Sequence, residues 1–167
     1  MPVRDIRVYP DPILKQICAP VDVGDQGVDE LIQDLVDTMV ASGHSVGVAA
    51  PQIGDPRRVV VVDVSKSKLG RDNNHGLLVM VNPVILESEG RTTMREGCMS
   101  VPDYTGNVTR AASVLVQFLD RAGGEMVVNA SGFEAVAIQH ELDHLDGLLF
   151  LDRVSSLKTD VFRRKTY

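Results

Sequence analysis

Residues 132–147 read Gly-Phe-Glu-Ala-Val-Ala-Ile-Gln-His-Glu-Leu-Asp-His-Leu-Asp-Gly, and their pattern decides how the rest of the chain is arranged. Phe133, Val136, Ala137, His140 and His144 recur on one face of a helix, while Ile138, Leu142, Leu145 and Leu149 extend another. A helix over 132–146 with so little polar face is expected to run through the middle of the domain, with strands wrapped about it. Ser131 and Glu134 have the spacing of a capping box at its start, and Gly147 stands where a left-handed residue ends a helix.

Working outward, Val28, Leu31, Ile32, Leu35, Val36, Met39 and Val40 mark an amphipathic N-terminal helix stopped by Gly43. Segments 59–64, 77–81, 84–87, 113–119 and 125–128 read as strands, rich in Val, Ile and Leu and bounded by Gly, Pro, Asn and Asp. The last two form a hairpin across 120–124. The polar, turn-rich stretch 65–75 is the best candidate for a mobile loop, and the basic tail after residue 151 is expected to be a short C-terminal helix. Helix, strands, then helix predict an α+β fold, mostly antiparallel, in a single domain spanning 1–167.

Composition bounds the function. The 167 residues are 44% hydrophobic and 24% charged, the balance of an ordinary soluble globular protein, and no apolar run approaches membrane-spanning length. The opening residues lack the apolar core of a secretion signal, so a cytoplasmic location is expected. Cys18 and Cys98 are too few for a disulfide framework. A net charge of −6 argues against specific DNA binding. The charge is uneven, since residues 153–167 carry a local +4 that leaves −10 on the remainder.

The chemistry starts at His140-Glu141-Leu142-Asp143-His144. Histidines at i and i+4 share a face, so both imidazoles reach one divalent ion, and Glu141 beside them is placed as a general base. Burying such histidines without a ligand would leave polar nitrogens unpaired. A third ligand is not supplied nearby: Phe150 stands where an extended zinc-protease motif needs a histidine, and no glutamate follows Glu141. Asp146, Asp152 and Asp160 remain as oxygen donors, though the first two read as helix-end and turn residues. The better donor lies upstream in Arg95-Glu-Gly-Cys98-Met-Ser-Val-Pro102, where Gly97 permits close approach to Cys98; Cys18, in an apolar setting, is the competitor. Further upstream, the small residues around Gly47 let a ligand lie close to the backbone, and Gln52 offers an amide donor able to polarise a carbonyl.

Taken together, Gly47 to Gln52, Glu96 to Ser100 and Gln139 to His144 resemble, in order, the three motifs of peptide deformylase. The resemblance covers essentially the whole chain, including Tyr9 to Leu14. It implies a metal-dependent hydrolase that removes the formyl group from formyl-methionyl peptides and nascent chains and releases formate. It implies a divalent ion on Cys98, His140 and His144, with Fe(II) in the cell; by ligand type Zn and Ni suit the same donors. Glu141 would move protons, and Gln52 with the backbone N–H of Met99 would hold the developing oxyanion. Ser45 stands where that family usually has glycine, and Met99 where it usually has leucine. Val46, Gly47, Met94, Phe133, Val136 and Ala137 are the candidates for the substrate slot, and Glu96 with Arg110 either forms a supporting ion pair or is simply solvated. His44 and His75 read as surface residues. Arg163, Arg164 and Lys165 suggest contact with the anionic surface of the ribosome.

Overall fold

The structure is a computed structural model that describes residues 3–22 and 25–164. The amphipathic stretch after Gly27 forms α1 (Val28–Ser42), and Gly43 ends it at φ 78° as expected. β1 (Gly47–Ala49) leads through a 3-10 turn, Ala50–Ile53, to β2 (Val59–Val62). There follow β3 (Leu78–Glu89), β4 (Thr92–Cys98), β5 (Val101–Arg110), β6 (Ser113–Leu119) and β7 (Glu125–Ser131). Next comes α2 (Gly132–Leu145), then a 3-10 turn, Phe150–Asp152, and β8 (Val161–Arg163). One sheet has the order β1-β2-β3-β6-β7 and a smaller one β4-β5-β8, with every strand pair antiparallel.

The four valines of β2 are wholly buried because helices cover both faces. Val60 and Val62 pack in one core with Ala135, Ala137, Ile138, Leu142 and Leu145 of α2. Their neighbours Val59 and Val61 point the other way and pack with Leu31, Ile32, Leu35 and Met39 of α1. Each such aliphatic side chain contributes roughly 1.5–3 kcal/mol of burial, so the two cores together fix α2 in the middle of the molecule. The expected central helix is therefore found, with its apolar surface covered.

Four local features depart from the sequence reading. The strands expected at 77–81 and 84–87 are one strand, because Asn82 takes φ 52° and absorbs a register shift between Val81 and Val84. Its side chain fastens this bulge to Val21, accepting from the Val21 N–H at 2.8 Å and donating to the Val21 carbonyl at 2.8 Å. The hairpin β4–β5 was not anticipated. The tail forms β8 rather than a helix, since Val161 and Phe162 favour extended backbone and pair with the edge of β5 at Thr105 and Gly106. The capping box is not made: Ser131 makes no cap hydrogen bond to α2. The 65–75 stretch takes both of its members instead, Asn73 donating to Ser131 Oγ at 2.9 Å and His75 meeting buried Glu134 at 2.5 Å. That stretch is thus tied down, while the His75 ring stays exposed, as expected of a surface residue.

A third cluster, Leu14, Cys98, Val101, Val108, Leu149 and Phe150, seats the small sheet against the end of α2. Between Gly97 and Cys98 the β4–β5 register jumps, from Gly97 opposite Thr105 to Cys98 opposite Val101. An irregularity of this kind re-aims a side chain, here the Cys98 thiol toward α2. No helix among the described residues is long and apolar enough to cross a membrane.

Candidate metal centre

Cys98 at the end of β4 meets His140 and His144 on α2, and all three are buried, with one donor atom of each within 4.8 Å of the others. Sγ of Cys98 lies 3.4 Å from Nε2 of His144. A tetrahedral ion with metal–sulfur and metal–nitrogen bonds of about 2.3 and 2.0–2.1 Å separates those atoms by about 3.5 Å, so the residues fit a single divalent ion. Burial holds His144 well below the ordinary imidazole pKa. Burial also works against charge on His140, yet Cys98, Glu96 and Glu141 outweigh it and hold that ring well above. The competing thiol plays no part: Cys18 sits in the hydrophobic core, and burial pushes it up to about 11.

Behind His140 runs a line of charged residues, buried as far as Asp143. Glu96 Oε1 lies 2.8 Å from His140 Nδ1, which orients the ring and leaves its other nitrogen for the ion. Arg110 donates to both oxygens of Glu96, at 2.7 and 3.0 Å, and from Nη1 to Asp143 at 2.9 Å. Arg153 then donates to both oxygens of Asp143, at 3.0 and 2.9 Å. Burial raises the Glu96 carboxyl, but His140 and Arg110 outweigh it and hold it below the usual range. The supporting pair expected at Glu96 and Arg110 is present; Asp143 and Arg153 extend it and were missed. Asp143 lies within the histidine motif itself, three residues after His140, which was the available signal.

On the open side of the donors is a cavity of about 210 Å³. Glu141 lies in it with Oε1 buried and without a hydrogen-bond partner among the described residues, and burial pushes its carboxyl up to about 7. Gln52 is held by its own 3-10 turn: Oε1 accepts from the Ala49 N–H at 3.0 Å, which turns Nε2 to Ser100 Oγ at 3.1 Å and Cys98 Sγ at 3.4 Å. Val46, Gly47, Met99, Phe133, Val136 and Ala137 all line the cavity. Met94 does not: it lies two residues beyond Glu96 along β4, half-buried and opposite Val108, so the expectation that it joins the slot is corrected. The Ser45 hydroxyl donates to the Gly47 carbonyl at 2.8 Å and accepts from the Gly47 N–H at 3.3 Å. Sequence reasoning missed Arg95, Gly97 and Arg164 as lining residues, and His44, though exposed, also borders the opening.

One thiolate, two imidazoles, a buried carboxylate outside the ligand set and an aimed amide donor define a mononuclear metal-dependent hydrolase centre. Comparison with known proteins narrows the class. The family described as polypeptide deformylase matches residues 3–160. The peptide deformylase of Syntrophobacter fumaroxidans is 44% identical over 165 residues, covering 99% of this chain and 94% of that one. The peptide deformylase of Thermodesulfovibrio yellowstonii is 40% identical over 165 residues, 99% of this chain and 97% of that one. Among solved structures, the peptide deformylase of Ehrlichia chaffeensis in complex with actinonin superposes with TM-score 0.87 at 34% identity, over 95% of this chain and 92% of that one. The chain belongs to the peptide deformylase family, metal-dependent hydrolases that remove the N-formyl group from nascent peptides.

Proposed function

We propose that this chain removes the formyl group from the N-terminal methionine of newly made polypeptides by the residues assembled around Cys98, His140 and His144. The observation that carries the reading is the buried Glu141 carboxylate, its Oε1 without a partner among the described residues, beside those three donors at the floor of a cavity bounded by two strand edges. β1 and β4 are each the outermost strand of their sheet, and Gly47 of one and Gly97 of the other line the cavity. An extended peptide can lie between them by backbone pairing, with its first side chain among Val46, Phe133, Val136 and Ala137.

A divalent ion held by Cys98, His140 and His144 would polarise the formyl carbonyl and lower the pKa of water beside it. The ion we assign in the cell is Fe(II), with Zn or Ni satisfying the same donors. Glu141, poised near 7, takes the proton from the attacking water and passes it to the departing nitrogen, so that formate and a free amine leave. Gln52 Nε2 and the backbone N–H of Met99 donate to the oxygen that gains charge. Nascent chains place this work in the cytoplasm, within one catalytic domain. Ribosome contact through the tail rests on exposed Arg163, because Arg164 turns to the cavity and Lys165 lies outside the described residues.

The test is formate release from formyl-Met-Ala-Ser, set against acetyl-Met-Ala-Ser and an unblocked peptide. Only the formyl peptide should turn over. Cys98→Ala should lose metal, while Glu141→Gln should keep metal and lose about 10²–10⁴-fold in rate. Cleavage of internal bonds with formyl-methionine left intact would overturn the reading in favour of an endopeptidase.

A further inference from the structure

The cavity has a cationic rim that the hydrolytic chemistry does not use. By strand alternation Arg95 and Gly97 project to the same side of β4, and both line the cavity. The Arg164 side chain lies against Gly97 where a Cβ would stand, so two guanidinium groups border the same stretch of β4. Arg95 is held there by neutral partners. Its guanidinium carbon is 3.8 Å from the centre of the Phe162 ring, Nε donates to Asn107 Oδ1 at 3.1 Å, and Nη1 donates to Thr105 Oγ1 at 3.5 Å. The acidic residues lining the cavity, Glu96 and Glu141, are buried at its floor, and Glu96 is already engaged by Arg110 and His140. In a chain of net charge −6, a positive group fixed at the mouth by uncharged contacts keeps its charge for a ligand.

Distance along the strand gives the place that ligand would occupy. Arg95 is three residues before Cys98, roughly 10 Å at the rise of an extended strand. A peptide lying extended along β4 with its formyl group at Cys98 brings its second or third residue level with Arg95. We propose that Arg95 is a specificity-determining residue that favours formyl-peptides carrying a carboxylate side chain at that second or third position. The proposal rests on the deformylase reading and goes beyond it by naming the class of preferred substrate. A guanidinium already fixed by a ring and two acceptors loses little freedom on meeting a carboxylate, which suits it to discrimination.

The test compares kcat and KM for C-terminally amidated formyl-Met-Ala-Glu, formyl-Met-Ala-Gln and formyl-Met-Ala-Lys, with formyl-Met-Glu-Ala as the second-position arm. Amidation removes the terminal carboxylate that would otherwise mimic the effect. The better-placed glutamate peptide should exceed its glutamine counterpart by about fivefold or more in kcat/KM, almost all of it in KM, and the lysine peptide should be poorest. Added salt should shrink the difference, because the rim is exposed and screened. Arg95→Gln should bring the glutamate and glutamine peptides within about twofold in kcat/KM, and Arg95→Lys should restore part of the preference. Equal kcat/KM for glutamate and glutamine peptides in the wild type, or a preference that survives Arg95→Gln, would overturn the proposal. Turnover of the glutamine peptide in either outcome upholds the deformylase reading separately, whereas no turnover of any formyl peptide sinks both.

Discussion

At Gly47 the space left by a missing side chain is taken by another residue. A Cβ there would stand 2.7 Å from Oε2 of Glu141 and 2.9 Å from its Cγ, so the carboxylate can reach the cavity only past a glycine. Gly47→Ala should therefore displace Glu141 while leaving Cys98, His140 and His144 able to hold the ion. Activity is expected to fall by about 10²-fold or more, in the range that loss of proton transfer gives, with metal content unchanged. The double variant Gly47→Ala/Glu141→Gln should be no slower than Glu141→Gln alone, because both act through the same group. Additive losses in steady-state kinetics would show that Gly47 matters only for docking the substrate. The sequence made Gly47 legible as a place of close approach but not what approaches it, since the partner comes from a distant helix. His140, His144 and Glu141 were legible for the opposite reason: their relation is set by helical spacing within five residues.

At the scale of elements, legibility followed the density of Val, Ile and Leu. β2, β6 and β7 carry it and were found, as was the hairpin between the last two. β4 and β5 read Thr-Thr-Met-Arg-Glu-Gly-Cys and Val-Pro-Asp-Tyr-Thr-Gly-Asn-Val-Thr-Arg, in which glycine, proline and charge mask the period of two. In β4 those positions include Arg95, Glu96 and Gly97, which line the cavity beside Cys98, so there the site itself hid the strand. β3 was read as two strands because Asn82-Pro83 looks like a turn. Its continuity depends on Asn82, which combines φ 52° with two hydrogen bonds to Val21. Asn82→Gly keeps the conformation and loses the bonds, for about 2 kcal/mol; Asn82→Ala should cost roughly 1 kcal/mol more, from the left-handed backbone. Chemical denaturation of the pair measures the difference, and equal losses would mean that φ is not what the site demands.

For the whole molecule, the segment around Cys18 ties the N-terminal part to the end of α2. The Cys18 N–H donates to the Leu145 carbonyl at 2.8 Å, and Gly147 must lack a side chain because the Lys15 carbonyl lies 2.5 Å from where its Cβ would be. Burial raises the Cys18 thiol from 9.0 to about 11. A thiol raised in the folded state gives stability that is complete below pH 9 and is lost as pH rises through 11, here at most about 3 kcal/mol. Wild type should thus lose stability more steeply than Cys18→Ala between those pH values, as followed by denaturant midpoints; parallel slopes would place the titration elsewhere. The two strand edges that flank the cavity carry a last consequence, which concerns solubility. An unpaired edge is where copies of a chain stack into aggregates. Here β1 is three residues long with the Ser45 hydroxyl on the backbone of Gly47, and β4 presents charged Arg95. The opening suits one passing strand and offers a growing sheet nowhere to start, so these two edges are guarded against stacking by the same geometry that leaves room for an extended peptide.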